Sequence, residues 1–119
     1  MTQKDKELLL KDLCARLPYG VKIQVPYEDG SGYFDETVWE VNNEGPFHVN
    51  GWGIEYEYVK PYLFPLSSIA KKTLEELSAY IDIKNAYVAV EFFNSHHIDY
   101  RGLIEKGLAI DATGLNIYF

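Results

Sequence analysis

Two adjacent histidines, an aspartate, a tyrosine and an arginine fall within the six residues His96 to Arg101. Imidazole and carboxylate both ligate zinc, so His96, His97 and Asp99 are metal candidates, with His48 as a distant fourth ligand. Their spacing argues against a shared ion. Adjacent side chains diverge by about 100° on a helix and point to opposite faces of a strand. The helical i, i+4 histidine pair of H-E-x-x-H is missing. Asp99, Tyr100 and Arg101 form a second candidate set, for acid–base chemistry, which requires the groups to converge in a cleft with shifted pKa values. The structural alternative carries more weight. In it Asp99 caps a helix, one histidine bonds a backbone carbonyl, and Asp99 and Arg101 form an ordinary ion pair.

Other chemistry is poorly represented. No G-x-S-x-G nucleophile turn occurs, and Cys14 has no histidine near it in sequence. Gly30-Ser31-Gly32 lacks the Lys-Ser/Thr of a phosphate loop. No cofactor is expected, and catalysis by a known motif has little support.

Aromatic residues make a better functional candidate: 10 Tyr, 6 Phe and 2 Trp. Tyr27, Tyr33, Trp39, Trp52, Tyr56, Tyr58 and Tyr62 exceed what one small sheet face buries. Tyrosine and tryptophan left exposed favour protein contacts. Trp39, Trp52, Tyr56 and Tyr58 are the candidate binding surface. The opposing reading is that these rings close a small barrel and cover its ends.

The elements that position these groups follow from periodicity. Residues 2–17 read as a helix, capped by Thr2 with Asp5 in the first turn, and Leu9, Leu13 and Leu17 recur at four-residue spacing. Cys14 is placed on that apolar stripe as a small core residue. Pro18 and Gly20 end the helix. Val21 to Val25 alternates as a half-buried strand, and Glu28 to Gly32 is a turn. Tyr33 to Val41 reads as a second strand, with a turn at Asn42 to Gly45. Asn50-Gly51, between Phe47–Val49 and Trp52–Val59, signals a hairpin. Residues 21–59 therefore predict an antiparallel meander, curved or closed into an SH3-like barrel. Lys60 to Leu66 holds two prolines and reads as an extended connector. The helical half, about 67–107, opens with a helix over Ile69–Tyr80 and closes with a short one over Tyr100–Lys106, capped by Asp99 and ended by Gly107. Asn85 to Asn94 fits either helix or strand by period. The apolar tail from Leu108 is expected to pack.

Size and composition bound the rest. The 119 residues favour a single domain of 1–119. A hydrophobic content of 47% suffices for one core. Eleven basic against 18 acidic residues give a formal charge of −7, which disfavours nucleic-acid binding. These charges read as interspersed rather than laid out in a dense acidic stripe. One cysteine allows no internal disulfide and fits a reducing compartment. The charged residues after Met1 have no apolar stretch behind them, so no signal peptide is expected, and no run is long enough for a membrane.

Three blocks carry a resemblance: LCARLPYGVKI (Leu13 to Ile23), VKPYLFPLSS (Val59 to Ser68) and NSHHIDYRGLIEKGLA (Asn94 to Ala109). They resemble a family of small proteins encoded by gut anaerobic bacteria and by their phages and mobile elements. The last block is the most distinctive. The resemblance implies a helix before the two histidines, although Asn85 to His97 departs from it in its β-branched residues. It implies a cytoplasmic, phage-associated protein and names no catalytic residue.

The sequence thus predicts an α+β fold: an N-terminal helix, a small curved antiparallel sheet, and helices packed on it. It favours a cytoplasmic, non-catalytic interaction module. The partner expected is a protein, supplied by a host or by a second copy of the chain, with no nucleic acid and no membrane. The alternative is a metal-binding protein or metal-dependent enzyme using His96, His97 and Asp99.

Overall fold

A computed structural model of the chain describes residues 2–27, 29–38, 40–42, 45–47, 59–68 and 86–118. The fold is α+β, with an N-terminal helix and a small mixed sheet.

Helix α1 spans Gln3–Arg16. Its start is a reciprocal capping box: the Asp5 amide donates to Thr2 Oγ1 at 3.1 Å, and the Thr2 amide donates to Asp5 Oδ2 at 3.2 Å. The buried face is Leu9, Asp12, Leu13 and Arg16. Cys14 is exposed, not in the core. It lies about 140° round the helix from Leu9 at about 100° per residue, outside the stripe that four-residue spacing defines. A 3-10 turn, Leu17–Tyr19, follows, and Gly20 reverses the chain in the left-handed region at φ 69°.

Strands β1 (Lys22–Pro26) and β2 (Tyr33–Thr37) form an antiparallel hairpin, from Pro26 opposite Tyr33 to Lys22 opposite Thr37. Val21, Ile23 and Val25 point into the core, as the alternation predicts. The expected long second strand is divided. Beyond β2, Val38 is buried, and its amide bonds Val21 O at 2.9 Å. Strand β3 (Glu40–Asn42) then pairs with β4 (Gly45–Phe47) as a separate two-stranded ribbon.

The largest correction concerns the expected connector. Lys60–Pro65 is strand β5, the centre of the main sheet. Its partners change along its length. Lys60 and Pro61 pair antiparallel with β1. Tyr62 and Leu63 pair parallel with β7 (Ile110–Asp111), and Phe64 and Pro65 pair parallel with β6 (Ile98–Asp99). Two prolines are tolerable because no single ladder runs through both. The sheet is therefore mixed rather than an antiparallel meander, and its described strands do not close into a barrel.

Helix α2 spans Ala86–Ser95, so the ambiguous segment is helical. The expected last helix, Tyr100–Lys106, is instead a series of tight turns. Gly102 adopts φ 75°, which halts a right-handed helix near its start. The tail packs: Leu108, Ala109 and Ala112 are buried. One core joins Leu9 and Leu13 of α1 to Ile23, Val25, Leu63 and Leu103. The Asn50-Gly51 hairpin, residues 52–58 of the strand expected to follow it, and the helix Ile69–Tyr80 lie outside the described residues. No helix among the described residues is long and apolar enough to cross a membrane.

Candidate functional site

The block of residues 94–101 forms the junction between α2 and β6, and an arginine from α1 lies beneath it. Arg16 and Asp12 are one helical turn apart and fully buried. Arg16 Nε donates to Asp12 Oδ2 at 2.9 Å and Nη2 donates to Asp12 Oδ1 at 3.1 Å, a bidentate pair. The guanidinium also donates to Phe93 O at 3.2 Å and to Ile98 O. Phe93 O is among the carbonyls that a helix leaves unpaired at its C-terminal turn, where a cation is favoured. Arg16 thus fastens α1 to the end of α2 and the start of β6.

Arg101 reaches the same carboxylate from the other side, Nη1 to Asp12 Oδ1 at 2.8 Å. Its guanidinium lies 4.4 Å from the centroid of the Tyr100 ring. Tyr100 stacks at a tilt against Phe93 and donates its hydroxyl to Asn94 Oδ1 at 3.0 Å. Asp99 caps the turn that follows, its two oxygens each accepting one amide, from Leu103 and Ile104, at 2.9 Å. Arg101 therefore pairs with Asp12 and not with Asp99.

The histidines have separate environments. His96 is exposed and stacks on Phe92 at 4.2 Å, with Nδ1 3.0 Å from Phe92 O. His97 is buried and holds the left-handed conformation at φ 57° just beyond α2, a position usually given to glycine. Its ring lies flat on Tyr118, with centroids 3.9 Å apart and planes 11° apart. Its Nδ1 has no hydrogen-bond partner among the described residues. Burial, then the Arg16 charge, then His96, lowers its pKa to about 4, so the ring is neutral. Tyr118 accepts the Lys22 amide at 3.0 Å and donates to Tyr62 O at 2.6 Å. Burial holds the Tyr118 hydroxyl well above the usual tyrosine range. Tyr62 bonds Asp35 and Gln24, and burial together with the Asp35 bond pushes its pKa to about 12.

The junction of α2 and β6 therefore holds His96, His97 and Asp99, yet each has a different neighbour. Among the described residues no three His, Cys, Asp or Glu side chains gather where they could hold a metal ion. His48, Trp39, Trp52, Tyr56 and Tyr58 lie outside the described residues. Of the other aromatic candidates, Tyr62 is buried, whereas Tyr27 and Tyr33 are exposed. The sequence reading missed Asp12 and Arg16. The available signal was a carboxylate and a guanidinium at i, i+4 spacing on the stripe already marked by Leu9 and Leu13. Compared with known family models, curated proteins and solved structures, the chain matches none.

Proposed function

We propose that this chain is a cytoplasmic, non-catalytic protein-interaction module. The supporting observation is where the chemically capable groups are spent. Asp12, Arg16, Asp99 and Arg101 bond one another or the backbone, and Tyr100 bonds the Asn94 side chain, so these groups join elements of the fold. The described surface offers exposed apolar bodies instead: Tyr27, Tyr33, Leu66, Val90 and Leu115. Tyrosine is enriched at interfaces because it contributes area and a polar tip at low entropic cost. The single cysteine, which allows no internal disulfide, supports a reducing compartment. A host protein as partner follows from the resemblance to phage and mobile-element proteins.

An affinity pull-down of tagged protein from host lysate, read by mass spectrometry, tests this reading. A stoichiometric partner that survives a salt wash is the expected result. A concentration-dependent mass in light scattering would make the partner a second copy. A clean negative in both would remove the reading.

A further inference from the structure

The turn of the β1–β2 hairpin carries side chains that the fold leaves in solvent. Tyr27 and Tyr33 flank it and are 48% and 64% exposed. Tyr27 leans on Phe34, with ring centroids 5.1 Å apart, while Tyr33 stands opposite Pro26. Asp29 lies between them in the turn, and exposed Asp35 follows on β2. Lys22, the basic residue of this hairpin, sits at its other end, opposite Thr37.

Charge is distributed unevenly along the chain, which corrects the impression of interspersed charges. The 37 residues between Lys22 and Lys60 hold eight of the 18 acidic residues and none of the 11 basic ones. The remainder is balanced to within one charge. Tyr33 and Asp35 share the outer face of β2, and an exposed ring beside a carboxylate fits a guanidinium or ammonium group, which gains from ring face and ion pair together. A second copy of the same hairpin would oppose carboxylate to carboxylate, and nucleic acid would be repelled likewise.

We infer that the Tyr27–Asp35 hairpin turn is a docking surface for a basic, arginine- or lysine-containing segment of a partner protein. This rests on the reading of the chain as an interaction module. Tyr33 supplies the ring face, and Asp29 and Asp35 supply the counter-charges.

The probe is a short peptide of alternating arginine and serine, with a glutamate–serine peptide as control, titrated into the full chain. Binding is followed by calorimetry and by amide chemical shifts. The expected shifts concentrate in residues 27–37, with no response to the glutamate peptide. The double variant Asp29→Asn/Asp35→Asn keeps oxygen acceptors for the Ser31 amide and the Tyr62 hydroxyl. It weakens binding on the order of tenfold, as does Tyr33→Ala. Glu7→Gln/Glu105→Gln removes the same charge from exposed sites elsewhere and leaves binding unchanged. Shifts centred elsewhere, or equal weakening by the Glu7/Glu105 variant, would mean diffuse attraction and overturn the proposal. If the peptide fails to bind while a lysate partner is captured equally by wild type and Asp29→Asn/Asp35→Asn, the basic-segment inference falls and the interaction module stands. If neither peptide nor lysate partner binds, both fall.

Discussion

Replacing Asp12 with alanine removes the carboxylate that, among the described residues, both Arg16 and Arg101 contact. The side chain of Arg101 is 14% exposed and can turn to water, so its loss is small. Arg16 has no exposed surface and no such escape. It would keep Phe93 O and Ile98 O as acceptors, but its charge would be uncompensated in the core. Two charge-assisted bonds lost at about 1.5–3 kcal/mol each give about 3–6 kcal/mol. A domain of this size is stable by roughly 5–15 kcal/mol, so the variant loses a large share of its stability. With a urea slope of about 2 kcal/mol/M, the unfolding midpoint falls on the order of 2 M. The double variant Asp12→Leu/Arg16→Met recovers much of this, because it removes charge and counter-charge together. Equilibrium urea unfolding followed by circular dichroism measures both. A cost below about 1 kcal/mol for Asp12→Ala would refute the reasoning, since that is the value of a solvated surface pair.

The remaining expectations are simpler. His97 has a folded pKa of about 4 against an ordinary 6.5, so the unfolded chain binds more protons between those values. Its contribution to stability is complete above pH 6.5 and declines as pH falls towards 4, by at most about 1.4 kcal/mol per unit. His97→Asn tolerates the left-handed backbone and should flatten that part of a stability-against-pH curve relative to wild type. Tyr118→Phe removes a donor to Tyr62 O and an acceptor for the Lys22 amide, and should cost about 1–2 kcal/mol in the same assay. Cys14, being exposed, should react with a thiol reagent in the native protein about as fast as in urea; strong native protection would return it to the core. Zinc added to protein purified without a histidine tag should leave the melting temperature unchanged, and a clear rise would revive the metal reading of His96, His97 and Asp99.

What could be read from sequence was local. Helix α1, its Thr2 cap and the alternation of Val21, Ile23 and Val25 depend on near neighbours, and all were legible. Asp99 was legible as a cap for the same reason, although Gly102 turned its helix into tight turns. Long-range choices were hidden. Pro61 and Pro65 argue against a strand within their own segment, and only partners from three distant regions reverse that. The burial of Arg16 depends on carbonyls more than seventy residues away. The stacking of His97 on Tyr118 leaves no periodic trace, because it joins a helix end to a loop. For the candidate surface, Trp39, Trp52, Tyr56 and Tyr58 lie outside the described residues, and composition alone pointed to aromatic exposure that Tyr27 and Tyr33 display.

The changing partners of β5 also set an order of assembly. Its first pair needs β1, about forty residues upstream, but its last two pairs need residues 98–99 and 110–111. A ribosome delivering about 5–20 residues per second releases β5 seconds before those partners emerge. During that interval the central strand of the sheet has one satisfied neighbour and an open flank. The sheet is consequently completed only once residues 110–111 are available, and until then β5 presents an unpaired edge.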